Sequence, residues 1–212
     1  MKKCLFGGAM FAAGIAAQAN AQQFNIEVGP YGIAALAYSY QFSYNTYASD
    51  YQLAYGAFVP QYATTTLDGV TGTAMVTNTT IASSASGQTP GQPNDQFNLA
   101  YAYFNVDPGV TLDIEWDFSA LSVSPFFGFG GVIQVLNLDS GIVEFAVDQA
   151  LGDPLTGSMN FDPVDGASYR AAVNVGGFFT GGEASASITT VPTPAGATLL
   201  AMGGFMAARR RR

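Results

Sequence analysis

Between Thr111 and Ser119 the chain alternates without a break. Leu112, Ile114, Trp116 and Phe118 are apolar, and Asp113, Glu115, Asp117 and Ser119 are polar. A period of two sends alternate side chains to opposite faces, so this segment is a β-strand with one face in a core and one in water. No window over 22–190 carries an apolar stripe at the 3.6-residue spacing of a helix. Segments 99–106, 130–138, 142–147, 168–178 and 184–191 read as further strands. Asp107-Pro108-Gly109 is the turn before the alternating strand, and Asp139-Ser140-Gly141 closes a hairpin between 130–138 and 142–147. Short strands punctuated by Gly, Asp and Pro predict an all-β fold, an antiparallel β-sandwich of jelly-roll-like form, over 22–190.

The two ends have a different character. Lys2 and Lys3 precede an apolar stretch over 5–17, and Ala19-Asn20-Ala21 supplies the small residues that a signal peptidase pocket admits. Thirteen apolar residues in a helix reach roughly 20 Å, short of a bilayer core. Residues 1–21 are therefore expected to be a signal helix, removed after export. At the other end, Val191-Pro192-Thr193-Pro194 is an extended, proline-stiffened spacer, followed by an apolar run over 195–208 and by Arg209, Arg210, Arg211 and Arg212. Four arginines behind an apolar helix stay on the cytoplasmic side, which holds the domain outside an inner membrane that the tail enters transiently.

This order of spacer, apolar helix and basic cluster resembles the PEP-CTERM sorting signal of Gram-negative bacteria. The similarity covers 191–212, and Thr193 stands where the family usually carries Glu. The resemblance implies an exosortase-like processing enzyme as partner after signal peptidase. It also implies residence in the cell envelope, at the cell surface or in an extracellular matrix, with exopolysaccharide or biofilm material nearby.

The segment left between the two ends holds all 15 acids and, of the 7 bases, only Arg170, for a net charge of −14. Such a surface repels nucleic acid and anionic headgroups. The same segment has no His, Lys or Cys, which removes Ser-His-Asp triads, thiolate nucleophiles, Schiff-base lysines, His/Cys zinc sites and disulfides. A non-enzymatic protein without a cofactor is the expectation.

Carboxylates and aromatic rings remain. Asp113, Glu115 and Asp117 stand on one strand face, successive residues roughly 6.7 Å apart. They read either as the solvated face of the strand or as a site for a hard cation such as Ca²⁺, the basis of a calcium-dependent adhesin. Spacing of that order also separates paired carboxyls in glycoside hydrolases. Asp139-Ser140-Gly141 matches one loop of an aspartic protease, which needs two, and is read as a turn. Asp148 to Asp153 and Asp162 to Gly166 are turns that could also serve calcium.

Eight of the 11 tyrosines crowd into 31–62. Tyr38, Tyr40, Phe42 and Tyr44 share one parity, as do Tyr51, Leu53 and Tyr55, which predicts two aromatic strands joined over 45–50. Two readings stay open. The rings fill the sandwich core, or Tyr38, Tyr40, Tyr44 and Trp116 form a platform for a carbohydrate-binding module. Segment 83–94, rich in Ser, Gly, Gln and Pro, is expected to be an exposed loop.

Overall fold

The computed structural model describes residues 24–192 apart from 44–45, 89–93 and 126–127. The expected signal helix and C-terminal hydrophobic helix lie outside those residues. Among the described residues no helix is long and apolar enough to cross a membrane.

The described chain is nearly all β. Its strands are β1 Phe24–Ile26, β2 Ile33–Ser43, β3 Thr46–Tyr55, β4 Gln61–Leu67, β5 Val70–Val76, β6 Thr80–Gly87 and β7 Asn94–Val106, followed by β8 Val110–Asp117, β9 Leu121–Ser122, β10 Val132–Asn137, β11 Ile142–Asp148, β12 Thr156–Phe161, β13 Tyr169–Phe179 and β14 Gly182–Pro192. The larger sheet runs β11-β10-β13-β7-β2-β3, with β1 also on β7 and β9 on β13, and the smaller runs β12-β8-β14-β6-β5-β4. The two antiparallel sheets pack face to face as a β-sandwich.

Alternation places the core where the sequence predicts it on β8. Leu112 and Ile114 are buried there, while Glu115 and Asp117 are exposed. Phe104, Tyr169, Ile133 and Val135 of the larger sheet belong to the same buried core. Phe104 is the hub of the aromatic part, with the ring of Phe24 at 4.7 Å and that of Tyr169 at 5.8 Å.

The β10–β11 hairpin forms across Asp139-Ser140-Gly141 as expected, with Asn137 Oδ1 accepting from the Asp139 and Ser140 amides. The turn Asp107-Pro108-Gly109 also forms, but it carries the chain from the larger sheet to the smaller, so β7 and β8 do not pair. Between β4 and β5, Asp68 and Gly69 both have positive φ (50° and 78°), the geometry of a two-residue type I′ hairpin.

Segment 83–94 is not one exposed loop. Residues 83–87 belong to β6, where Ser83 and Ala85 are buried, and Asn94 starts β7. The predicted connection over 45–50 likewise shrinks, because Thr46 already opens β3.

One long side of the sandwich is sealed by side chains. Asp50 and Gln52 on β3 accept hydrogen bonds from the Thr64 and Tyr62 amides of β4, at 2.9 and 3.1 Å. These bonds occupy backbone donors that an edge strand would otherwise leave open to another chain.

Candidate functional site

The tyrosine-rich strands turn their rings away from the core. On β2 the inward residues are Ala35, Ala37, Ser39, Gln41 and Ser43, all buried, and the outward ones are Leu36, Tyr38, Tyr40 and Phe42. The reason lies between the sheets. Ser39 Oγ sits 2.6 Å from Thr65 Oγ1, 2.7 Å from Asn98 Oδ1 and 3.1 Å from the Gly72 carbonyl oxygen. A Cβ at Gly72 would come within 2.3 Å of Asn98 Oδ1. The gap at this end of the sandwich admits hydroxyls and amides but no ring, so the aromatic parity faces out. The core-filling reading of Tyr38 and Tyr40 is thereby corrected.

The result is an aromatic face on the larger sheet. Strand register sets Tyr38 beside Tyr51 and Phe42 beside Tyr47 on β3, and Tyr38 beside Leu99 and Tyr40 beside Phe97 on β7. Tyr47 and Tyr51 are 69% and 65% exposed, which makes them surface rings on an ordered strand. The Tyr38 and Tyr40 rings lie 6.4 Å apart at 12°, and Tyr40 and Tyr47 lie 6.3 Å apart at 22°. Three nearly parallel rings in a row make an amphipathic aromatic platform on this outward face. Burial, with Tyr40 nearby, pushes the Tyr38 phenol above its ordinary pKa, so it stays protonated and can donate a hydrogen bond.

Further along the same face, Tyr101 and Tyr103 meet edge to face at 5.1 Å, and Arg170 Nη2 donates to Gln134 Oε1 at 2.8 Å. Burial first, and Tyr103 next, push the Tyr101 phenol strongly upward.

Where the platform meets β7, Tyr38, Tyr40, Asp95, Gln96, Phe97 and Phe129 line a half-open cavity of about 120 Å³. Phe97 bridges its walls, with Tyr38 at 5.9 Å and Phe129 at 5.3 Å, both edge to face. Asp95 is only 4% exposed. Burial raises its pKa, and a hydrogen bond from the Ser124 side chain opposes that rise. A raised value means that the folded form holds this proton more tightly than the unfolded chain. Its stabilising contribution is full below the ordinary carboxylate value and is lost as pH rises through the raised one.

Asp95 and Phe97 escape the sequence reading because the predicted strand begins at 99, and Phe129 because it lies one residue before the strand predicted over 130–138. The signal was present: the parity of Leu99, Tyr101 and Tyr103 continues upstream through Phe97 to Asp95.

The other sequence-predicted residues lie elsewhere. Trp116 is on β8 of the smaller sheet and does not join Tyr38 and Tyr40. It packs partly buried against the core, 6.0 Å from Phe145, with its indole N–H donating to the Pro154 carbonyl at 2.9 Å. Tyr44 lies outside the described residues.

Asp113, Glu115 and Asp117 do share the outer face of β8. Register flanks them with Asn160, Ser158 and Thr156 on β12 and with Thr189, Ser187 and Ser185 on β14. Asp117 Oδ1 accepts from the Ser119 hydroxyl at 2.6 Å and amide at 2.9 Å, which holds its pKa below the ordinary value. Among the described residues no three acidic side chains converge closely enough to hold a metal ion.

The turn acids are occupied, two within their own loop and two with the β7–β8 turn and the start of β8. Asp148 accepts from Ala150 N, Asp153 from Asp148 N, Asp162 from the Thr111 hydroxyl and Asp165 from Gly109 N. Val191 and Pro192, read from sequence as the start of a sorting spacer, are the last residues of β14, in register with Thr111 and Val110. Thr193, Pro194 and Arg209 to Arg212 lie outside the described residues. Compared with known proteins, the chain matches no family model, no curated protein and no solved structure.

Proposed function

We propose that this is an exported, non-catalytic protein of the cell envelope or extracellular matrix that associates with exopolysaccharide through the tyrosine face of its larger sheet. The observation that carries this reading is the row of nearly parallel, outward rings of Tyr38, Tyr40 and Tyr47 on an ordered sheet. The axial C–H bonds of a pyranose give it a flat apolar face that suits an aromatic ring, and its hydroxyls suit phenol and amide partners at the margin. The composition supports a binding role over a catalytic one, since the described domain has neither His, Lys nor Cys. In this reading signal peptidase removes 1–21, and an exosortase-like enzyme acts on the tail that starts at Val191.

The test is retardation of the full-length chain on gels carrying a panel of neutral and acidic polysaccharides, run with and without millimolar Ca²⁺. Saturable retardation on at least one neutral polysaccharide, independent of calcium, is the expected result. No retardation on any member overturns the reading. Retardation that appears only with calcium transfers the activity to a cation-dependent adhesin.

A further inference from the structure

A carboxylate shut away behind aromatic rings is costly unless a proton, hydrogen-bond donors or a cation meet it. Asp95 is in that position. It stands on the outward face of β7, in register with Phe42 on β2 and Phe178 on β13, and is almost wholly buried. The Ser124 side chain hydrogen-bonds to this carboxyl, but its Oδ1 has no hydrogen-bond partner among the described residues. The cavity it lines is walled by Tyr38, Tyr40, Phe97 and Phe129.

The described fold has no cation to bring to this point. Its one base, Arg170, is opposite Tyr103, eight residues along β7 from Asp95. At the rise of a strand that is roughly 26 Å away. A bare hard cation is equally ill served, since it needs about six oxygen ligands and the side chains lining the cavity offer one carboxylate, one amide and two phenols among rings.

What satisfies both features is an organic ammonium group. Aromatic rings attract it through their quadrupoles, and the carboxylate supplies the opposite charge. Tyr38 and Tyr40 belong to the cavity and to the platform at once, so the cation arrives attached to whatever lies across those rings.

We infer that the Asp95 cavity is a subsite for the protonated amino group of an amine-bearing sugar unit, a hexosamine without its N-acetyl group, in the polysaccharide that the tyrosine face holds. This rests on the polysaccharide reading given above and narrows it to a chemical class. The ammonium sits between the rings as a charged partner for Asp95 Oδ1, and the pyranose to which it is attached covers Tyr38 or Tyr40. An N-acetyl group replaces the cation with a neutral amide and removes the attraction.

The test titrates the full-length chain, at physiological salt, with short oligomers of glucosamine, N-acetylglucosamine and glucose of equal length and linkage. The free-amine oligomer is expected to bind about tenfold tighter than its acetylated form. Asp95→Asn erases that preference and leaves affinity for the glucose oligomer in place. Asp113→Asn, which removes an acid from the smaller sheet, retains the preference and so controls for the general pull of an acidic protein on a cationic sugar. If Asp95→Asn does not fold, Phe129→Leu keeps the carboxylate, removes one ring of the wall and reduces the preference.

Equal binding of all three oligomers by the natural chain overturns the amine subsite and leaves the polysaccharide reading standing. So does a preference that survives Asp95→Asn, or one that falls equally with Asp113→Asn. Binding of none of the three, together with no retardation on the wider panel, removes both.

Discussion

Replacing Tyr38 and Tyr40 together by alanine abolishes retardation on polysaccharide gels while the protein stays folded. Both rings are outward on β2, and Tyr40 is the middle of the three parallel rings, so the double variant removes the centre of the platform. Each ring in contact with a sugar contributes on the order of 1–2 kcal/mol. Loss of two weakens binding roughly 30- to 700-fold, enough to eliminate retardation of a weakly bound protein. The fold survives because β2 presents Ala35, Ala37 and Ser39 to the core, and the variant touches none of them. A melting temperature within a few degrees of the natural chain is expected, followed by far-ultraviolet circular dichroism. Undiminished retardation would separate the aromatic face from polysaccharide binding.

The largest effect on stability is expected at Phe104. It is fully buried at the centre of the sandwich, with Phe24 edge-on at 4.7 Å and Tyr169 stacked at 5.8 Å. Phe104→Ala leaves a void bounded by two rings fixed on β1 and β13, neither of which can collapse into it without moving its strand. The expected loss is about 3–5 kcal/mol, a large share of what holds a domain of this size together. That corresponds to a melting temperature lower by roughly 6–20 °C. Tyr47→Ala, at an exposed ring, is the comparison and shifts the melt by much less. A Phe104→Ala protein that melts with the natural chain would contradict the assignment of the core.

These two variants also mark what the sequence makes legible. Phe104 lies in a strand that periodicity finds at once, and β8 is clearer still because its alternation sets Leu and Ile against Asp and Glu. Strands β4 to β6 alternate just as regularly, Ala63, Ala74 and Ala85 inward against Thr64, Thr73 and Ser84 outward. Alanine and threonine differ too little in polarity to stand out, so Ser83 and its neighbours read as loop. Threonine's preference for strands is the weak signal that was there.

The tyrosine face shows a different limit. Alternation tells which residues share a side but not which side is the core, because shifting by one residue exchanges the two. On β2 the choice is made across the gap, by Thr65, Gly72 and Asn98 closing on Ser39, and those contacts join segments far apart in the chain. Trp116 fails as a platform residue for a related reason. It shares the inward parity of Leu112 and Ile114 and packs against the core, and β8 follows β7 through a turn that changes sheets, which composition does not reveal. Asp95 was hidden by its neighbours, since Thr89-Pro90-Gly91-Gln92-Pro93 disguises the start of the strand that carries it.

Hydroxyl-radical footprinting of the full-length chain, alone and saturated with the polysaccharide that retards it most, reads the central assignment at the side chains themselves. Tyr38, Tyr40, Tyr47 and Tyr51 should be protected on binding, while Tyr62, exposed on the opposite sheet, and Trp116 should react as before. Protection of Tyr62 or Trp116 with the β2 and β3 tyrosines unchanged would place the ligand on the other side of the sandwich and contradict the account.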